Sequence, residues 1–141
     1  QTCALPIFQD QLREDPNNAE LWFQLGQGYL LEGELDGALI CFDYAIQLTE
    51  PVGATQLAAK ATTLYYIHQQ SMTQEVSLLL EQALQIEPHN EAALSLIAND
   101  HFLSFRFQEA IDTWVLLLDS NDPSLDRVQI INSINKAKEL L

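Results

Sequence analysis

The sequence predicts an all-α protein built from stacked helical hairpins, and three observations support this prediction. Four of the five prolines, Pro16, Pro51, Pro88 and Pro123, recur at intervals of 35, 37 and 35 residues. Each interval holds two helical patterns joined by a turn, and no strand pattern competes with them. A period of this length is typical of helical solenoids, in which each hairpin packs on its neighbours.

The helical patterns follow one another in order along the chain. In the three repeats they cover residues 21–31, 38–48, 57–67, 75–86, 92–103 and 108–118. Polar residues that suit helix N-caps precede several of them: Asn17 or Asn18, then Asn90, and Ser124 before the last helix. That last helix is expected to bury one face. Its apolar residues at intervals of three are Leu125, Val128, Ile131, Ile134 and Ala137.

Composition and charge exclude several classes of function. The chain of 141 residues is 48% hydrophobic, which disfavours disorder, and carries a formal net charge of −14. Six basic residues cannot follow a phosphate backbone, so no nucleic-acid partner is expected, and anionic membrane surfaces would repel the chain. The acidity would attract a basic protein partner, or it simply keeps the protein soluble.

The stretch LWFQLGQGYL, residues 21–30, keeps a glycine inside a helical pattern at a cost of about 1 kcal/mol relative to alanine. Such a glycine suggests that another backbone packs closely there. The spaced positions are Trp22, Leu25, Gly26, Tyr29, Ala38, Phe42 and Ala45. They resemble the tetratricopeptide repeat (TPR) signature, in which the small residues Gly26 and Ala38 lie where the two helices of a hairpin cross.

The second and third repeats follow the same signature less strictly. Its residues there include Ala61, Ala83, Pro88, Ala98, Ala110 and Trp114. The second hairpin loop, HQQSMT, is about three residues longer than the TPR norm. We therefore predict a TPR superhelix with three helix-turn-helix repeats, at 17–51, 52–88 and 89–123, and a C-terminal capping helix at 124–141.

The first residues differ in character from the rest. QTCALPI, residues 1–7, resembles the translation of a sequencing adapter, so we expect these residues, Cys3 and Pro6 among them, to be non-native. Residues 8–16 then read as the remnant of a truncated preceding helix. Cys3 and Cys41 form no C-x-x-C motif, which excludes a thioredoxin-type redox site and c-type haem attachment on this chain.

Two stretches narrow the resemblance further. ATTLYYIHQQSMTQEVSLLLEQAL and the ending INSINKAKELL resemble the periplasmic TPR subunit of the bacterial haem lyases that attach haem to c-type cytochromes, in particular the type serving formate-dependent nitrite reductase. Such subunits do not catalyse. The resemblance implies that this chain holds the C-terminal segment of an apocytochrome c beside other haem lyase subunits. It also implies a periplasmic protein whose intact form is anchored in the inner membrane.

The TPR comparison also implies which residues face the concave groove. They lie on the first helix of each hairpin: Phe23, Gln27, Leu30, Ala58, Thr62, Tyr65, Tyr66, Ser95, Asn99 and Phe102. For Tyr65 and Tyr66, a place in the hairpin core is the alternative. The set contains no cation, unlike the Lys, Arg and Asn clamp with which chaperone-binding TPR domains hold a terminal carboxylate. An uncharged groove of this kind suits an amphipathic or extended peptide.

No cofactor, metal site or catalytic group is expected. The three histidines, His68, His89 and His101, include no pair at ligand spacing on one helix face, so each is expected to be packed or solvated. No nucleophile–base signature, carboxylate pair or glycine-rich phosphate loop appears either. Two classes of function remain: an assembly subunit of a cytochrome c haem lyase, and a generic TPR adaptor for an unrelated protein.

Overall fold

A computed structural model describes residues 5–141, and in that range every regular element is a helix and there is no strand. The expectation for Cys3 lies outside the described residues. Eight helices follow one another: α1 Leu5–Glu14, α2 Ala19–Leu31, α3 Leu35–Gln47, α4 Ala54–Ile67, α5 Gln74–Ile86, α6 Glu91–Leu103, α7 Phe107–Leu118 and α8 Arg127–Glu139. The predicted all-α class is confirmed.

The helices pair as the repeat period predicts. The most extensive contacts join α2 to α3, α4 to α5 and α6 to α7. The first pair packs on the second through α3 with α4, the second packs on the third chiefly through α4 with α6, and the third packs on the final helix through α7 with α8. The first helices α2, α4 and α6 also contact one another in order. Hairpins stacked in this way form a superhelix whose first helices share one face.

The second hairpin loop is longer than the other two. Residues 68–73 separate α4 from α5, whereas three residues, 32–34 and 104–106, close the first and third hairpins. Helix α1 begins earlier than the predicted remnant helix, at Leu5 instead of Phe8. Its residue Leu12 is buried with Leu25 and Cys41, so α1 packs on the first hairpin as a preceding helix would.

Helix caps agree with the sequence at two starts and differ at a third. The side-chain oxygen of Asn18 accepts from the Leu21 N–H, and Asn90 does the same for Ala93. Ser124, which we expected to cap α8, instead donates its N–H and its hydroxyl to Asp122 in the preceding turn. Asp126 caps α8 by accepting from the Gln129 N–H.

The predicted face of α8 is partly wrong. Ile134, Ala137 and Leu125 are buried as expected, but Val128 is 70% exposed and Ile131 is 46% exposed. A residue series at intervals of three drifts around a helix of 3.6 residues per turn, so it cannot stay on one face. The helix buries Ile130 instead, because positions 130, 134 and 137 keep the spacing of four and three that one face requires.

The crossing of the first hairpin explains the retained glycine. A Cβ atom added to Gly26 would lie 2.7 Å from Cε1 of Phe42. The element that packs there is thus an aromatic ring of α3, not the neighbouring backbone that the sequence suggested. Among the other small signature residues, Ala38, Ala45, Ala61, Ala83, Ala98 and Ala110 are all completely buried.

Candidate functional site

A groove lies on the face shared by the first helices of the three hairpins. Its volume is about 280 Å³. The lining residues are Phe23, Gln27, Leu30, Phe42, Thr55, Ala59, Thr62, Tyr66, Ala92, Ser95, Leu96 and Asn99. None of them is charged. The groove therefore offers apolar surface and neutral hydrogen-bonding groups to whatever binds there.

Seven of the ten residues expected in the groove line this cavity. They are Phe23, Gln27, Leu30, Thr62, Tyr66, Ser95 and Asn99. The structure therefore brings together residues from α2, α4 and α6 that are as many as 76 positions apart in the sequence. What these side chains bind stays a prediction.

Ala58 and Tyr65 do not reach the groove, which corrects two of the expected positions. Ala58 is fully buried and Tyr65 is 1% exposed. The alternative of a core position is correct for Tyr65, whereas its neighbour Tyr66 is 45% exposed. The two side chains leave α4 about 100° apart, so one enters the interior when the other faces the groove.

Phe102 also lies outside the cavity. Its ring packs against Phe107 and Trp114, with centroid distances of 5.3 Å and 6.1 Å. The Nζ atom of Lys136 stands 5.9 Å from the centre of the same ring. Phe102 therefore joins α6 to α7 and α8, and it belongs mainly to the packing of the last hairpin.

Sequence reasoning missed several groove residues on α4 and α6. On α4 the lining face consists of Thr55, Ala59, Thr62 and Tyr66, which follow one another at helical intervals of four, three and four. That spacing is visible in the sequence. It would have favoured Ala59 over Ala58 if Thr62 and Tyr66 had been taken to set the register of the face.

Aromatic contacts orient two of the side chains that line the groove. The ring of Phe23 lies 5.5 Å from that of Phe42, which is fully buried. The ring of Tyr66 meets that of Tyr65 edge-on, also at 5.5 Å. Phe23 and Tyr66 therefore each rest on a buried aromatic partner, which restricts their rotamers and prepares their exposed sides for contact.

A partly buried polar network joins α4 to α6. The Tyr65 hydroxyl donates to Oδ1 of Asp100 at 2.9 Å, and Arg106 donates from Nη2 to Oδ2 at 3.1 Å. Burial raises the pKa of the Tyr65 hydroxyl, and the bond to Asp100 raises it further. The phenol therefore remains protonated and keeps donating, which joins α4 to α6 behind the exposed ring of Tyr66.

The remaining polar residues do not form a recognisable centre in the described chain. Within residues 5–141 no group of three or more His, Cys, Asp or Glu side chains is arranged to hold a metal ion. His101 lies on α6 and accepts from Nε of Arg106 through Nδ1. None of the helices described is long and apolar enough to cross a membrane.

Stacked hairpins with small residues at their crossings and a groove along the first helices define a TPR protein. Comparison with known sequences then identifies the branch. Residues 7–128 match the family described as the cytochrome c-type biogenesis protein H TPR domain, and the chain belongs to this family.

Individual relatives agree with this placement. The chain is 36% identical over 138 residues to the formate-dependent nitrite reductase complex subunit NrfG of Escherichia coli O157:H7, covering 98% of this chain and 69% of that protein. It is 39% identical over 124 residues to the formate-dependent nitrite reductase complex bifunctional subunit NrfFG of Haemophilus influenzae, covering 88% of this chain and 32% of that protein. The chain is also similar to the putative YfrE protein from Vibrio parahaemolyticus, whose crystal structure is known. The two sequences are 85% identical over a match that covers 63% of this chain and 98% of the YfrE chain, with a TM-score of 0.62.

Proposed function

We propose that this protein is a non-catalytic, protein-binding subunit of a cytochrome c haem lyase. It holds the C-terminal segment of an apocytochrome c of the nitrite reductase type while haem is attached. Membership of the cytochrome c biogenesis family and similarity to a nitrite reductase complex subunit support this role. The protein acts in the periplasm at the inner membrane, beside other lyase subunits.

The observation that carries the proposal is the uncharged, partly aromatic lining of the groove. A segment held there gains affinity from apolar side chains in contact with Phe23, Leu30 and Tyr66. Gln27 and Asn99 provide amide groups that can bond to the backbone of an extended peptide. No Lys or Arg lines the groove to clamp a terminal carboxylate, so side chains, and not the chain end, are the main points of recognition.

Calorimetric titration tests this proposal. The probe is a synthetic peptide of the last ten residues of the cytochrome c nitrite reductase from the same genome. Phe23→Ala and Tyr66→Ala should each weaken its binding about thirtyfold, the effect of removing an aromatic hot spot worth about 2 kcal/mol. Phe105→Ala is the matched control, because it removes an aromatic ring that is 79% exposed and lies outside the groove.

The possible outcomes separate the two classes of function. Binding of the peptide that weakens only in the groove variants supports a haem lyase subunit. A peptide that fails to bind, or binds equally well to all three variants, would leave a generic TPR adaptor for another partner as the better description. Far-UV circular dichroism of each variant shows that the fold is retained.

A further inference from the structure

Two side-chain hydrogen bonds join α4 to α6, and both span 35 residues of the chain. In the first, Nδ2 of Asn90 donates to Oγ1 of Thr55 at 3.1 Å. In the second, the Tyr65 hydroxyl donates to Oδ1 of Asp100 at 2.9 Å. The two bonds lie about 15 Å apart along the helix axes, near opposite ends of α4 and α6. We call them the first rung and the second rung.

The second rung lies directly behind the groove. Tyr66 and Asn99 line the groove, and each adjoins in sequence one partner of this rung. Both partners are buried, with Tyr65 1% and Asp100 7% exposed. The separation of α4 and α6 at this level fixes the distance between Tyr66 and Asn99. The second rung therefore sets the width of the groove at these two residues.

On the far side of the rungs, the second and third hairpins are not closely packed. Helix α3 packs extensively on α4, and α7 on α8, but α5 has few contacts with α6. A crevice of about 300 Å³ lies between α5 and α6, lined by apolar residues that include Leu80, Leu84 and Ile97. The third hairpin is thus attached to the second along α4, with room for movement behind the attachment.

The two halves of α6 are attached to the second hairpin in different ways. Asn90, the cap of α6, forms the first rung, and Ala93 and Leu96 belong to the hydrophobic core of α4 and α5. The half that follows lines the crevice through Ile97 and Asp100. The side-chain hydrogen bond that ties this second half to α4 is the second rung.

We infer that the bond from Tyr65 to Asp100 is a latch that holds the third hairpin at the spacing the groove requires. Without the latch, the third hairpin rocks about the first rung, so that α4 and α6 separate at the groove and the crevice closes. Tyr65 and Asp100 are thus positioning residues that act on a bound segment through Tyr66 and Asn99. The inference rests on the proposed function for what the groove binds, but not for the movement itself.

Distance measurements on the free protein test the movement. Gln82→Cys on α5 and Glu109→Cys on α7 place nitroxide labels at exposed positions of the second and third hairpins. Cys3→Ser and Cys41→Ala remove the native thiols, and Cys41 lies in the cluster of α1 and the first hairpin, away from the crevice. Double electron–electron resonance then measures the distribution of distances between the two labels.

Tyr65→Phe opens the latch and keeps the ring. Asp100 retains its bond to Arg106 in this variant, so no buried charge is left unpaired. The labelled protein with Tyr65 should give one narrow distribution, and Tyr65→Phe should add a population at shorter distance. A distribution that stays unchanged or only lengthens overturns the inference. Adding Ser77→Leu, which fills part of the crevice, should remove the shorter population, and its persistence would also overturn the inference.

A titration connects the latch to binding. The probe is the nitrite reductase peptide that tests the proposed function. If about a tenth to a third of the molecules keep the competent spacing, Tyr65→Phe should bind it about three- to tenfold more weakly. Ser77→Leu in the same background should restore the affinity. Gly33→Ala is the control for stability, because it strains the turn of the first hairpin without changing the rungs, and it should change the affinity less than twofold.

The outcomes separate the latch from the proposed function. A shorter population together with a loss of affinity that Ser77→Leu reverses supports the latch. A shorter population with unchanged affinity, or equal losses of affinity in Tyr65→Phe and Gly33→Ala, overturns its role in the groove and leaves the proposed function intact. If the peptide does not bind even the unchanged protein, the proposed function falls, and the distance distributions decide on the latch.

Discussion

The loops that close the first and third hairpins share one backbone conformation but differ in sequence. In each, a three-residue loop ends with an N–H that reaches back five residues at 2.9 Å, from Glu34 to the Tyr29 carbonyl and from Arg106 to the His101 carbonyl. Both loops contain one residue in the left-handed region, with φ of 78° at Gly33 and 62° at Phe105. Glycine adopts this conformation freely, whereas phenylalanine does so at a cost of about 1–2 kcal/mol.

The interiors of the two hairpins differ as their loops do: the first depends on a glycine and the third does not. The first places Gly26 beneath the ring of Phe42, so that its crossing depends on one missing side chain. The third has Ala98 in the corresponding position, buried in one cluster with Trp114. It is also joined to the second hairpin by the bond from Tyr65 to Asp100. Local geometry thus specifies the first hairpin, while tertiary contacts compensate for a less suitable local sequence in the third.

Gly26→Leu should have the largest effect on this comparison. Since even a Cβ atom would come within 2.7 Å of the Phe42 ring, we expect overpacking to lower the free energy of unfolding by about 1–3 kcal/mol. Urea denaturation followed by circular dichroism measures this change. Adding Phe42→Ala should recover part of the loss, and an unchanged midpoint for the single variant would refute our account of the crossing.

Tyr65→Phe should have the next largest effect. It removes the hydroxyl that bonds to buried Asp100, and we expect a loss of about 1–2 kcal/mol in unfolding free energy. Tyr66→Phe is the matched control on the neighbouring, exposed residue, and it should change stability by less than about 0.5 kcal/mol. Equal effects of the two substitutions would show that the buried network does not stabilise the junction of α4 and α6.

Gly33→Ala tests the turn of the first hairpin. A side chain at φ of 78° is strained, while the loss of glycine's freedom in the unfolded chain partly offsets that strain. The net effect should be destabilisation by about 1 kcal/mol. No atom lies within 4 Å of the added Cβ, so a loss would come from backbone conformation alone. Thermal unfolding by calorimetry would reveal it, and a stabilised variant would contradict this reasoning.

Phe105→Gly is the reverse experiment in the third hairpin and should give the smallest effect. Relief of left-handed strain exceeds the entropy cost of glycine, so stability should rise by about 0.5 kcal/mol. Phe105→Ala keeps the strain and loses the exposed ring, so it should give no gain. If Ala stabilises as much as Gly, then removal of the exposed aromatic, and not backbone relief, explains the change.

Much of the fold was predictable because its signals are local. The period of the prolines, the caps Asn18 and Asn90 and the extra length of the loop at 68–73 depend on residues close together in sequence. The failures came where a helical register had to be chosen. For α8, the interval of three wrongly predicted that Val128 and Ile131 are buried. For α4, the sequence analysis placed Ala58 in the groove, whereas the structure places Ala59 there.

By itself, the sequence determined the helical class, the order of the hairpins, the TPR family and most of the groove, because repeat spacing and small residues at crossings report on local geometry. Only the tertiary structure decided that Tyr65 is buried and Tyr66 is exposed, and that Phe102 belongs to the packing of the last hairpin. Those facts depend on how α4, α6 and α8 approach one another. The approach of these helices is set by packing among residues far apart in the chain, which no local pattern encodes.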